Sequence, residues 1–295
     1  MKKLTIFTPT YNRRILIERV YSSLKKQTNK NFIWLIVDDG STDGTKEYIN
    51  KIKEEKKIET QYIYQRNLGK MQAHNTGVIN CETEYFVCLD SDDIFVNSAV
   101  ESILTNIDRT QKENCVGIIA YKCVTKQKKD LLGVFPNVEY TTLNDVYDKG
   151  YIGETTLVFK TNIIKQYLFP RFNHEKFITE AYIYDRIDRK YCYYILPEIL
   201  TIYEYQENGL SNSIYKIISN NPIGYMEYWK QKFNFSYEDR NVKKVIKHCI
   251  NYICFSLNAK VYFLETHNFL QLFLIILLYP VGFFKYFIIS KKGGV

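Results

Sequence analysis

Asp90-Ser91-Asp92-Asp93 is the densest group of acids in this 295-residue chain, and it directly follows the apolar run Phe86-Val87-Cys88-Leu89. Three carboxylates within four residues at the end of a buried strand raise one another's pKa and lose hydration, so the arrangement is costly without a cation. An oxygen-preferring divalent ion, Mn²⁺ or Mg²⁺, meets that need and bridges naturally to a diphosphate. The plainer alternative is a helix start with its acids left in water. Phe95 stands where an EF-hand loop needs glycine, which excludes that calcium site.

Three other clusters carry polar chemistry after short apolar runs: Thr8-Pro9-Thr10-Tyr11-Asn12, Asp38-Asp39-Gly40-Ser41-Thr42-Asp43, and Asn67-Leu68-Gly69-Lys70. Ser41 or Thr42 suits a helix cap and Gly40 a turn. Asp38 and Asp39 fit that picture less well, because adjacent carboxylates repel unless something donates to them, and a base edge or ribose hydroxyl would. Gly69 followed by Lys70 at a helix start can face phosphate oxygens with backbone donors and a mobile charge. It is not a Walker loop, since Tyr64 occupies the first glycine position and Met71 the hydroxyl position. His74, further along that helix, reads as a polar residue on the helix face.

The elements that must position these clusters alternate. Residues 4–8, 32–37, 58–64 and 85–89 read as strands; residues 13–27, 42–56, 70–80 and 97–110 read as helices. This β-α-β-α rhythm predicts a mostly parallel sheet flanked by helices, with ligands at the carboxyl ends of the strands, where all four clusters fall. Further strands are expected at 116–122, 155–159 and 200–205, and a helix at 179–189, as a continuation of the same sheet with insertions. Beyond residue 215 the pattern is helical, with Val242, Val245, Ile246, Cys249, Ile250, Ile253, Leu257 and Val261 on one stripe.

Taken together, T-P-T-Y-N, D-D-G-S-T-D, N-x-G-K and D-S-D-D resemble the glycosyltransferase family 2 pattern on the GT-A fold, in the family's order and roughly its spacing. The resemblance is strong over residues 4–110 and looser to about residue 211. It implies an α/β GT-A domain in which Thr8, Tyr11 and Asp39 hold the base of a nucleotide sugar, usually UDP. Asn67 and Lys70 would lie along the nucleotide, Asp90 near the ribose and metal, and Asp92 on the metal itself. It implies an inverting single displacement, in which an acceptor hydroxyl attacks the anomeric carbon and a general base takes its proton. The family's base is an acid at the start of a helix in the acceptor half, often one of a pair. Phe177-Ile178-Thr179-Glu180-Ala181 matches that stretch, making Glu180 the expected base; Ala181 departs from the paired pattern, and Asp185 and Glu154 are the reserves.

Composition narrows the remaining choices. At 46% hydrophobic, with 13 Gly and 6 Pro, the chain can fill a real core, which rules out disordered and fibrous classes. The seven cysteines show no C-x-x-C spacing, and neither a disulfide framework nor a zinc knuckle is expected. The apolar stretch near the N-terminus is too short for a signal peptide, so cytosolic synthesis and residence are expected. The net charge of +8 is unevenly placed. Residues 1–110 hold 16 basic and 15 acidic side chains, residues 111–215 hold 13 of each, and residues 216–295 hold 11 and 4.

The basic tail also carries the longest apolar segment. Residues 269–284 have no charged side chain and would rise roughly 24 Å as a helix, short of a hydrocarbon core of about 30 Å. Extending to residue 289 reaches roughly 31 Å but takes in Lys285, with Pro280 and Gly282 inside. An interfacial or re-entrant anchor on the cytoplasmic face of a membrane, peripheral or monotopic, is expected over a spanning helix. The organisation expected is a nucleotide-sugar-binding half at 1–110, an acceptor-binding half at 111–215 and a helical C-terminal extension at 216–295, with 269–289 associating with membrane.

The expected function is metal-dependent transfer of one sugar from a UDP donor to a glycan or lipid-linked oligosaccharide acceptor in surface-polysaccharide assembly. Sugar transfer onto polyprenyl phosphate is the second enzymatic reading. A nucleotide-sugar-binding pseudoenzyme, motivated by Ala181, is the non-enzymatic one. No nucleic-acid partner is expected: the chain is basic and rich in tyrosine, but it has no nucleic-acid motif and no continuous arginine-rich stripe.

Overall fold

The protein is described by a computed structural model covering residues 2–125, 127, 130, 131, 133–204 and 214–293. Two compact units result, one of Met1–Phe169 with Ile183–Gln206, the other of Pro170–Tyr182 with Glu207–Val295. The stretch Glu207-Asn208-Gly209-Leu210-Ser211 and the end of the strand expected over 200–205 lie outside the described residues.

The first unit opens with β1 (Leu4–Thr10), α1 (Arg14–Lys25), β2 (Phe32–Asp38), α2 (Thr45–Glu55), β3 (Thr60–Tyr64), α3 (Lys70–Ile79) and β4 (Tyr85–Cys88). It continues through β5 (Asp93–Phe95), α4 (Ala99–Asn106), β6 (Cys115–Cys123), β7 (Tyr140–Thr141), α5 (Leu143–Asp148), β8 (Glu154–Lys160), α6 (Thr161–Ile164), α7 (Ala181–Asp188, in this unit from Ile183 on) and β9 (Cys192–Tyr203). Described residues form a nine-stranded sheet in the order β3-β2-β1-β4-β8-β6-β9-β5, with β7 paired to β9. Strands β3, β2, β1 and β4 run parallel, whereas β8 is antiparallel to β4 and β6, so the sheet is mixed and β6, β8 and β9 extend it.

All seven residues of β1 and all seven of β2 are buried, as expected of parallel strands covered on both faces. Pro9 is tolerated because β4 pairs only with Leu4 to Phe7, so the missing N–H falls beyond that ladder. Helix α1 buries Ile17, Val20, Tyr21 and Leu24, a single stripe at helical spacing. These meet Leu4, Ile6, Trp34 and Ile36 in the main core, each fully buried side chain contributing about 1.5–3 kcal/mol.

Two elements depart from the pattern in the sequence for identifiable reasons. The helix expected over 97–110 is α4 followed by a 3₁₀ turn at Ile107–Gln111. Strand β9 starts at Cys192, well before residue 200, and passes through Pro197; the register against β6 shifts between Ala120 and Tyr121, from Leu196 to Ile199, so the proline sits in a bulge.

The second unit holds α8 (Ile214–Asn220), α9 (Pro222–Glu238), α10 (Val242–Asn258) and α11 (Phe269–Gly293). Its core joins Tyr225, Met226, Phe233, Val245, Cys249, Tyr252, Ile253, Phe255 and Ile275. Glu175 caps α9, accepting from the Ile223 and Gly224 N–H groups at 2.8 Å each.

Candidate active site

The carboxyl ends of β1, β2, β3 and β4 are stitched together by their loops. Asn12, at φ 51°, donates its N–H to Ser41 Oγ at 2.8 Å, and its side-chain oxygen accepts from the Thr42 N–H at 2.8 Å. The Arg14 N–H donates to Asp43 at 2.9 Å. The loops after β1 and β2 therefore hold each other, which fixes the direction in which Tyr11 and Arg13 leave the sheet.

The two adjacent acids after β2 find their donors inside the protein. Asp38, fully buried, accepts from the Ser41 N–H and the Tyr62 hydroxyl at 2.8 Å each. Burial and then Asp38 push the Tyr62 phenol well above its ordinary pKa, so it remains a donor. Asp39 accepts from Gln65 Nε2 at 2.7 Å, the Leu68 N–H at 2.8 Å and the Gly69 N–H at 2.7 Å. This carboxylate thus shapes the loop that starts α3. Gly69 adopts φ 94°, a conformation costly for any side chain, and delivers Lys70 to the first turn of the helix.

Lys70 Nζ reaches Asp90, 2.9 Å from one carboxylate oxygen and 3.0 Å from the other. Arg13 Nη1 donates to Asp92 at 2.8 Å and to Ser91 Oγ at 3.1 Å. Lys122, on β6, lies 2.7 Å from Asp93 and 2.7 Å from Glu154. Oxygens of Asp90, Asp92 and Asp93 all lie within 4.8 Å of one another. Three side-chain cations therefore surround the acids, a feature that the linear cluster alone did not reveal.

Their electrostatics differ. Burial alone would raise the Asp90 carboxyl, but Lys70, Lys122 and Arg13 carry it well below the usual carboxylate range. Burial works to raise the Asp93 carboxyl, with Asp90 adding to the shift and Lys122 opposing it from 2.7 Å. Burial also works against the Lys122 charge, yet Asp93, Asp90 and Glu154 outweigh it and raise its pKa, so the lysine keeps its proton. Asp90 and Asp92 each leave about a quarter of the side chain accessible, 26% and 23%, while Asp93 leaves 6%. Hard oxygen donors with that access suit a Mg²⁺ or Mn²⁺ ion on Asp90 and Asp92, and Asp93 belongs to Lys122.

The other expected residues are distributed unevenly. Tyr11 is 49% exposed at the end of β1, an aromatic face open to a base. Asn67 is half-buried in the loop before α3. Thr8 is fully buried and its hydroxyl accepts from Trp34 Nε1 at 3.0 Å. Two residues on, the Thr10 hydroxyl is 3% exposed and has no hydrogen-bond partner among the described residues. Glu180 belongs to the helical unit, half-buried immediately before α7. Asp185, in the sheet unit, is 6% exposed and accepts from Asn144 Nδ2 at 3.0 Å. Glu154 is half-exposed and paired with Lys122. His74 is buried among the edges of Phe7, Phe86 and Phe169, not on an open helix face.

A mixed sheet thus gathers acids, cations and an exposed tyrosine at the carboxyl ends of its strands. Residues 5–167 match the family described as glycosyl transferase family 2, and the chain belongs to that family. Over 242 residues it is 23% identical to the GalNAc(5)-diNAcBac-PP-undecaprenol beta-1,3-glucosyltransferase of Campylobacter jejuni, covering 78% of this chain and 74% of that protein. Over 99 residues it is 38% identical to an uncharacterized glycosyltransferase of Rickettsia felis; the match covers 34% of this chain and only 16% of that longer protein. The crystal structure of S. aureus TarS 1-349 in complex with UDP-GlcNAc superposes with a TM-score of 0.62 at 16% identity, covering 99% of this chain and 92% of that one. The fold is GT-A.

Proposed function

We propose that this glycosyltransferase moves one sugar from a UDP donor to a hydroxyl of a glycan or lipid-linked oligosaccharide, with inversion at the anomeric carbon, in surface-polysaccharide synthesis. The observation that carries the reading is the meeting of Asp90 and Asp92 with Arg13 and Lys70 at the strand ends, beside the exposed ring of Tyr11. Acids that could hold a divalent ion and cations that can face phosphates are both needed to bind a nucleoside diphosphate.

In this reading Tyr11 stacks on the base, and Asp39 takes its polar edge through the lone-pair capacity its three donors leave over. Asn67 and Lys70 lie along the nucleotide, with Asp90 toward the ribose. Thr8 accepts from Trp34 and keeps its own hydroxyl proton, so it can donate to the base without losing that contact. Asp90 and Asp92 would hold the divalent ion, whose contribution is Lewis-acid stabilisation of the departing diphosphate. Glu180 takes the proton of the acceptor hydroxyl as its oxygen bonds to the anomeric carbon; the bond from that carbon to the diphosphate breaks and the nucleoside diphosphate leaves. Asp185 is enclosed and Glu154 is neutralised by Lys122, so Glu180 is the better-supported base. Thermal shift with UDP-, GDP- and dTDP-sugars, with and without Mn²⁺, tests the donor; stabilisation by none of them overturns the reading.

The helical unit supports docking on an anionic membrane. Helix α11 turns Gln271, Ile275 and Gly282 inward, and a side chain at Gly282 would collide with Ile253 of α10, its Cβ falling 2.5 Å from Ile253 Cγ2. Lys285 Nζ bonds to Asn251 of α10. The outward face shows Phe269, Phe273, Ile276, Leu277, Phe284 and Ile288. Helices α9 and α10 packed behind it carry Glu227, Lys230, Lys243 and Lys247, so spanning would drag charges into lipid. An in-plane anchor buries only the apolar face and leaves the lysines for headgroups. Sedimentation with vesicles containing phosphatidylglycerol, but not with neutral vesicles, and release by alkaline carbonate are expected; resistance to carbonate would indicate spanning instead.

A further inference from the structure

We propose that Arg13 and Lys70 are shared cations, paired with Asp92 and Asp90 before ligands bind and passed to the donor's diphosphate when a divalent ion takes those carboxylates. The inference rests on the nucleotide-sugar reading above and adds how metal and donor depend on each other.

The three cations of the cluster are held differently. Lys122 sits next to the end of strand β6, 13% exposed, fixed between Asp93 and Glu154 at 2.7 Å each. Arg13 and Lys70 are 30% and 26% exposed and stand at the N-terminal ends of helices α1 and α3. Their backbones are anchored, Arg13 next to the Asn12–Ser41 contact and Lys70 next to the Asp39–Gly69 contact. Their long side chains border water and can turn into it, a latitude that Lys122 lacks. Both helix N-termini also favour negative charge in front of them.

The charge balance ties the two ligands together. Asp90, Asp92, Asp93 and Glu154 face Arg13, Lys70 and Lys122, so with every group ionised the cluster carries one negative charge in excess. A divalent ion entering alone must displace two well-made ion pairs and leaves the site with excess positive charge. When a nucleoside diphosphate enters with it, the displaced guanidinium and ammonium regain anionic partners on phosphate oxygens, the arginine in a bidentate fork. Metal and nucleotide binding are then coupled through the same two side chains, and the coupling is reciprocal, typically about 5–150-fold.

Chelation of metal by the nucleotide also produces cooperativity, so the test lies in the variants. Mn²⁺ binding to the full-length protein is followed by electron paramagnetic resonance, alone and with UDP, for wild type, Arg13→Gln and Lys70→Gln. Removing a shared cation frees a carboxylate for metal while removing a phosphate partner. Each variant is expected to bind Mn²⁺ alone about 3–10-fold more tightly and UDP with Mn²⁺ about 10-fold more weakly, opposite signs from one substitution. A far-ultraviolet circular dichroism melt identifies any variant that has lost its fold, and the other then carries the test. Unchanged or weaker binding of Mn²⁺ alone in the folded variants overturns the proposal while leaving the donor reading intact. Failure of wild type to bind UDP with Mn²⁺ overturns both.

Discussion

The sheet unit and the helical unit solve the problem of charge in opposite ways. In the first, acids and bases are nearly equal in number and meet at defined points: Arg13 on Asp92, Lys70 on Asp90, Lys122 between Asp93 and Glu154. In the second, residues 216–295 carry 11 basic and 4 acidic side chains, and the apolar surface of α11 lies open beside them. Paired charges concentrated at strand ends define a small polar ligand. A basic excess beside exposed aromatic and aliphatic side chains suits an extended anionic surface, the partner proposed for it. In the proposed function the first suits a soluble donor and the second a lipid-borne acceptor, by separate pieces of physics.

The sharpest separation is expected from Asp92→Asn. Losing a proposed metal ligand should lower sugar transfer by about 10³-fold, the scale of removing one transition-state charge partner. Stability should fall by no more than about 1 kcal/mol, because Arg13–Asp92 is a partly exposed pair. Steady-state transfer and a thermal melt of the same preparation read the two quantities. Glu180→Gln comes next. Transfer should fall by about 10²–10⁴-fold with UDP affinity unchanged, the signature of a lost general base. Near-normal transfer would remove Glu180 and return the choice to Glu154 or Asp185.

Legibility in the sequence divides along the same line. The first four strands and the helices between them were readable because short apolar runs alternate with stretches of helical spacing, such as Ile17, Val20, Tyr21 and Leu24 on α1. Asp90, Asp92 and Lys70 stood out because linear clusters mark strand ends. Arg13 and Lys122 did not: they reach the acids from 78 residues upstream of Ser91 and from another strand, and only the sheet order brings them there. Sequence likewise does not register that the Thr8 hydroxyl accepts from Trp34, while the Thr10 hydroxyl has no hydrogen-bond partner among the described residues. In the helical unit the stripe on α10 was legible, but which face of α11 it covers was not. That depends on Gly282 and Lys285, a gap and a hydrogen bond that hydropathy does not register.

Gly282→Leu tests the seam between α10 and α11 directly. Ile253 occupies the space a side chain would need, so overpacking should destabilise the helical unit by about 1–3 kcal/mol. Amide hydrogen exchange should quicken in α10 and α11 while β1, β2 and β4 keep their protection. Loss of protection in the sheet as well would show that the two units unfold as one.

The smallest effect expected is a pH dependence of opposite sign in the two units. His248 lies on α10, 7% exposed, with Nδ1 3.0 Å from the Lys232 carbonyl. Burial, reinforced by Lys232, Lys247 and Lys244, lowers its pKa from 6.5 to about 4, against the pull of that carbonyl. The folded state therefore binds the proton less readily than the unfolded chain. Stability contributed by the neutral ring is fully present above pH 6.5 and is lost as pH falls toward 4, where the unfolded histidine is already charged. Allowing for solvent screening, the loss should be about 1–2 kcal/mol. In the sheet unit Asp188 is raised to about 6 by burial, despite the N–H donors of Leu143 and Asn144 that favour its charged form. A carboxyl raised in the fold moves stability the other way, the folded sheet gaining as pH falls through 6 toward 4. Hydrogen exchange at about pH 7 and about pH 5, on either side of the unfolded histidine's titration, should thus show α10 losing protection while α5, whose N-terminus Asp188 holds, does not. His248→Gln should flatten the response of α10 alone, and an unchanged response would assign the pH dependence to another group.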